Sequence, residues 1–207
     1  MSAANLATHP CLLSYGNTHE TNLPLILVVG REPNGAGAVD ACWGKYDFRD
    51  FPSCGLWNVA YGVMGTASTP SVDSKTFKSL VESKGVSPLI IADAMPQSIE
   101  DRVRNKDALR TAHSDAAIKE HIANIFSHER FMSRVRCVLL SGLGTSFRLS
   151  VREYEEQLGD RGIPFQHLPF FTPMNVPKIR AAISPDIWRI LGSAASELAA
   201  YPLKAAA

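Results

Sequence analysis

The sequence predicts an α/β domain, a three-layer α/β/α sandwich around a central four-stranded parallel sheet. Three observations lead there. Short apolar runs recur as LILVVG (25–30), PLIIADA (88–94), RCVLLSG (136–142) and IPFQHLP (163–169). The first three are near-continuous Val, Ile and Leu, the pattern of strands covered on both faces. Segments with apolar residues three and four positions apart separate the runs, and such alternation gives parallel sheets with right-handed crossovers.

Taken in order, residues 1–22 show no clear period and are expected to form an irregular arm ahead of a single domain over 23–200. After the first strand, LWNVAYGVMG sets Leu56, Val59, Ala60, Val63 and Met64 on one helical stripe, with Gly65 as the expected stop. SKTFKSLVESKG starts a helix at Ser74, turns Phe77, Leu80 and Val81 inward, and ends at Gly85. Past the second strand, HSDAAIKEHIANIFSHERF has Ser114 as N-cap and Ile118, Ile122, Ile125 and Phe126 at helical steps. TSFRLSVREYEEQLG, after the third, carries Phe147, Val151, Tyr154 and Leu158 down one face. The last helix, SPDIWRILGSAASELAAY, has Ser184 as cap, Pro185 at its first position, then Ile187, Ile190, Leu191 and Leu198. Residues 201–207, ending in LKAAA, read as a frayed tail, and no internal repeat is visible.

Composition narrows the functional classes. A chain of 207 residues, 45% apolar and 20% charged, is ample for one real core. Its net charge of +1 supplies no global field toward nucleic acid or anionic membrane, so any nucleic-acid contact must rest on a local Lys/Arg cluster. Cys11, Cys42, Cys54 and Cys137 form no C-x-x-C pair and no zinc-like spacing, which points to a reduced setting without metal or cofactor. Cys137, inside an apolar run, reads as a packed thiol. MSAANLATHPCLLSYG lacks the basic flank and apolar core of a signal peptide, and no apolar run approaches the roughly 20 residues of a membrane span. The expected location is the cytoplasm, or the nucleus in a eukaryote. Nothing in the composition sets an oligomeric state.

In a parallel sheet the segments following each strand meet on one rim, where α/β proteins hold their ligands. Here those segments are GREPNG, ADAMP, SGLGTSF and LPFFTPMN. A phosphate loop is excluded, because Ala36 and Gly37 follow Gly35 where Lys and Ser or Thr are needed. GLGTSF puts Phe147 where a dinucleotide fingerprint needs its third glycine, and no G-x-S-x-G of a hydrolase elbow occurs.

A first strand followed by glycine, two variable residues, proline and glycine is the first motif of the uracil-DNA glycosylase superfamily. A last strand ending in Leu-Pro-His-Pro-Ser-Pro-x-Asn, or a variant of it, is the second. VVGREPNG and HLPFFTPMN stand in the corresponding places, and the chain resembles that superfamily over about residues 24–192. DFRDFPSCGLWNVAYGVMG is similar to the aromatic segment and first helix of the mismatch-specific uracil and thymine glycosylases. CVLLSGLGTSF is similar to the third strand and its small-residue turn.

The resemblance implies a uracil-DNA glycosylase-like fold and hydrolysis of the N-glycosidic bond of a damaged or deaminated base, without metal. Such a site needs an aromatic floor for the flipped base, a group reading its edge, and a carboxylate or amide to position water beside the cationic sugar. It also needs a donor for the departing anion. By resemblance Glu32 positions water, Phe51 (with Phe48 as substitute) is the floor, and Asp93 reads the base. Phe170 occupies the leaving-group histidine position. Phenylalanine donates no hydrogen bond, which leaves Asn175 or Thr172 to compensate. Met174 stands where the family drives a wedge into the duplex. Arg31, Lys45, Arg49, Arg148, Lys178 and Arg180 would meet the DNA backbone. His167, three residues early on its strand, reads as a core or surface histidine, and RVRNK (102–106) as a solvated face. The alternative is a binding module for a nucleobase or nucleotide, with catalysis weakened by Phe170. A small-molecule enzyme that reuses the cleft is the third possibility.

Overall fold

The computed structural model describes residues 12–31, 55–69, 71–95 and 114–204. Among these, β1 (Leu13–Gly16), β2 (Leu25–Gly30), β3 (Val86–Asp93), β4 (Val135–Ser141) and β5 (Phe165–Leu168) form one sheet in the order β1-β3-β2-β4-β5. The predicted four strands are present and run parallel to one another. The sheet is nevertheless mixed and five-stranded, because β1 adds antiparallel to the free edge of β3. Part of the expected irregular arm is therefore an edge strand. Its four residues are too few for a two-residue period to show, and its ladder slips between Ser14 and Gly16, across from Ser87–Leu89. Pro88 lies in that stretch and has no N–H to give. Thr18 Oγ1 accepts from the Ser87 amide there at 2.9 Å.

Every residue of β2 is buried, which explains its unbroken apolar sequence. Ile26 and Val28 face one helical layer; Leu25, Leu27 and Val29 face the other. On the first face lie α1 (Gly55–Ser68), α2 (Ser74–Lys84), α6 (Val176–Ala182) and α7 (Pro185–Ala200), packed over Ile91, Cys137 and Leu139. On the second lie α3 (Asp115–Phe126), the single turn α4 (Glu129–Met132) and α5 (Arg148–Asp160), packed over Ile90, Val138 and Leu140.

Local chemistry sets the helix ends. The side chains of Ser114 and Ser184 cap α3 and α7, and Pro185 opens α7. Asp73 caps α2 by accepting from the Thr76 amide at 2.8 Å, and Gly85 closes it in the left-handed region at φ 69°. Gly65 does not end α1, which continues to Ser68. A Cβ on Gly65 would stand 2.7 Å from the Val72 carbonyl oxygen, so this glycine lets the chain leading into α2 approach α1 closely.

Arg134, just before β4, ties the segment ahead of β2 to the sheet. Its Nη1 donates to the carbonyls of Thr18 (3.1 Å) and Thr21 (2.6 Å), and its Nε to that of Arg130 (3.0 Å). Burial, and then the neighbouring Arg130, push its pKa down.

From β2 the chain goes to β3 on one side and later to β4 on the other, with helices on opposite faces. The strand order thus reverses beside β2, and the crevice of such a sheet opens at the carboxyl ends of the strands flanking that reversal. Among the described residues no helix is long and apolar enough to cross a membrane.

Candidate functional site

The exits of β2 and β4 are joined by one side chain. Arg31, the first residue past β2, donates from Nε to the Gly142 carbonyl at 2.9 Å, and its guanidinium carbon stands 4.3 Å above the centre of the Phe170 ring. Three strand exits therefore share one contact. Gly142 makes it possible. Its φ is +64°, and a Cβ there would lie 2.5 Å from the Phe170 Cβ and 2.7 Å from its Cα. The backbone of β4 turns sharply here because no side chain is present to stop it.

The exit of β3 is held from below. The Asp93 carbonyl accepts from Tyr154 Oη at 3.1 Å and from His121 Nε2 at 2.9 Å, out of α5 and α3. Because a carbonyl can only accept, Nε2 carries the hydrogen, and burial pushes the His121 pKa down despite that hydrogen bond. The Asp93 residue is 2% exposed, and its carboxylate leans toward β2: a Cβ on Gly30 would sit 2.7 Å from Asp93 Oδ1. Gly30 thus leaves room for a carboxylate at the rim.

After β5, the chain folds back on itself in a tight loop. Gly142 N donates to Leu168 O at 2.8 Å, Phe171 N to the buried Ser141 Oγ at 2.9 Å, and Asn175 Nδ2 to Phe170 O at 2.9 Å. Phe171 is fully buried in the core and anchors the loop, which leaves the half-buried Phe170 to present its ring at the rim. Pro173–Asn175 form a 3₁₀ turn whose tip, Met174, is 87% exposed.

The predicted site residues divide accordingly. Arg31 and Phe170 touch directly, Asn175 is bonded to the same loop, and Asp93 lies against β2 at the Gly30 position. Thr172 is half-buried immediately before the 3₁₀ turn. Arg148 is exposed at the start of α5, and Lys178 and Arg180 are exposed on α6, two residues apart and so on different faces of that helix. Glu32, Lys45, Phe48, Arg49 and Phe51 lie outside the described residues, as does the RVRNK stretch. His167 is exposed and bonded to Glu155 at 2.8 Å, a surface histidine as expected. Cys137 is fully buried, and burial pushes its thiol pKa up to about 12, as suits a packed thiol. Ser141, Gly142, His121 and Tyr154 were not among the site residues nominated from the sequence, which placed Tyr154 on a helix face; the Ser-Gly pair closing the third apolar run was the available signal for the first two.

A groove of about 470 Å³ opens at the opposite rim, among Met132, Val135, Arg136, Arg161, Ile163 and Pro164. Its Arg161 is already engaged by Glu129 Oε1 (3.1 Å) and the Phe126 carbonyl (3.0 Å). At the carboxyl ends, instead, an exposed guanidinium stands over a half-buried aromatic ring, and a buried carboxylate lies beside Gly30, the residue before that arginine. No protein-family model matches the chain, and a search of curated proteins returns no significant relative.

Proposed function

We propose that this protein is a DNA glycosylase-like hydrolase that cleaves the N-glycosidic bond of a damaged or deaminated base drawn into the carboxyl-end crevice. The observation that carries the reading is the meeting of Arg31, Gly142 and Phe170 at the ends of β2, β4 and β5, with the Asp93 carboxylate beside Gly30 at the end of β3. The doubly wound strand order supports it, since a uracil-DNA glycosylase-like sheet needs its ligand at that reversal. In this reading Asp93 reads the edge of the base, while Phe48 or Phe51 stacks on it. Glu32, the next residue after Arg31, orients the attacking water. Arg148, Lys178, Arg180, Lys45 and Arg49 hold the backbone, and Met174 props the duplex open. The partner is DNA, met in the cytoplasm or nucleus.

Incubation with uracil-, hypoxanthine- and mismatch-containing oligonucleotides, followed by alkali, tests this directly. Strand breaks at the marked base are expected, and Glu32→Gln should slow them at least tenfold. A second reading has its own support: Phe170 cannot donate, and the Asn175 amide is already bonded to the loop carbonyl. A protein that binds these oligonucleotides but leaves them intact at stoichiometric amounts is a base-binding module instead.

A further inference from the structure

Breaking an N-glycosidic bond sends its electron pair onto the departing base. The site must offer a donor to that growing anion, and a preorganised one is worth about a hundred- to a thousandfold in rate. Among the described residues the rim narrows the choice. Ser141 Oγ is buried and receives the Phe171 amide. Asn175 Nδ2 is bonded to Phe170 O, and the Gly142 amide to Leu168 O. Thr172 offers a neutral hydroxyl, and hydrogen bonds from a cation are roughly twice as strong.

Arg31 differs from all of these. Its Nε is bonded to the Gly142 carbonyl and its guanidinium carbon stands 4.3 Å from the centre of the Phe170 ring, so the head group is held at two points before any ligand arrives. Among the described residues no acidic side chain pairs with it, and its one hydrogen bond is made by Nε. Held on one side by a carbonyl and beneath by an aromatic ring, the guanidinium has its terminal N–H groups unpaired among the described residues.

We propose that Arg31 is the catalytic residue that stabilises the departing base, an inference that rests on the glycosylase reading and reassigns Arg31 from the DNA backbone to the base. Phe170 then serves as the platform that fixes the donor. In the step, the bond between C1′ and the base nitrogen breaks heterolytically and both electrons leave with the base. The water oxygen bonds to C1′, and its proton passes to solvent. The terminal N–H groups of Arg31 hold the base anion, which takes a proton from solvent on release.

The test compares uracil with 5-fluorouracil at the same duplex position in single-turnover reactions at saturating protein. Fluorine makes the departing anion more stable, so its loss depends less on the donor. R31Q is expected to slow uracil release about a hundred- to a thousandfold and 5-fluorouracil release at least tenfold less, with R31K recovering part of the difference. Because Arg31 is exposed, both variants should melt within a few degrees of wild type. Equal slowing of both substrates would overturn the assignment. So would an unchanged saturated rate with weaker binding, the mark of a phosphate contact, or no effect at all. In each of those cases wild-type cleavage leaves the glycosylase reading standing, whereas a wild type that releases neither base removes Arg31 from this role together with that reading for uracil.

Discussion

Replacing Gly142 by alanine separates two costs that the rim imposes on one residue. The first is conformational: at φ +64° an alanine Cβ crowds its own backbone, at about 1–2 kcal/mol. The second is a collision. The new Cβ would stand 2.5 Å from Phe170 Cβ, 2.7 Å from Phe170 Cα and 2.9 Å from its ring. Two of those are contacts below 3 Å with atoms at the root of the residue, so rotating the ring does not relieve them and the loop itself must shift. Overpacking of that kind costs about 1–3 kcal/mol. Gly142→Ala is therefore expected to destabilise by about 2–5 kcal/mol. Gly162 provides the control, since it has nearly the same φ, +63°, but nothing within 4 Å of a built Cβ. Gly162→Ala should thus show the conformational cost alone, and Gly144→Ala, at negative φ in open space, almost none. Urea unfolding of the three variants measures all of this. If Gly142→Ala and Gly162→Ala fall within 0.5 kcal/mol of each other, Gly142 and Phe170 do not meet as described, and the Arg31–Phe170 stack loses its foundation.

Two further perturbations probe the framework. Arg134→Met removes a charged donor from the carbonyls of Thr18, Thr21 and Arg130, and is expected to lower stability by about 2–4 kcal/mol in denaturant titrations. Arg134→Lys should recover only part of that, because a single ammonium cannot span the fork. For Cys137 the folded pKa is raised, so the unfolded chain loses its thiol proton first as pH rises. The contribution is fully present below about pH 9 and falls by about 1.4 kcal/mol per unit up to about pH 12. Cys137→Val should remove that slope from unfolding free energies measured across pH 8.5–11; parallel curves for the two proteins would refute it.

The parts of the fold legible in the sequence were those with a redundant signal. β2 and the central stretches of β3 and β4 are buried on both faces, so residues 25–29, 89–92 and 137–140 are unbroken apolar runs, and Ser114, Ser184 and Gly85 mark helix ends by chemistry that works locally. What was hidden depended on partners distant in the chain. β1 is defined by pairing with β3 some seventy residues later, and Gly65 reads as a stop until the close approach of Val72 is known. For the rim, chemistry-bearing residues could be nominated from strand ends, because a parallel sheet brings those together whatever the loops do. Which of them meet could not be read. Arg31 looked like a backbone contact, and only its bond to Gly142 and its stack on Phe170 distinguish it from the exposed Arg148 and Arg180.

The two bonds beneath the Asp93 carbonyl have a consequence for anyone mutating this molecule. Tyr154 delivers one of them, and its ring is braced edge-on by Phe126 at 5.8 Å between centroids. A change at Phe126, on the far side of the sheet from the loop after β5, can therefore tilt Tyr154 and let the end of β3 sag. Disorder at the end of β3 need not trace to residues on the rim, and some of the most informative variants are hydrophobic ones in the layer of α3 and α5.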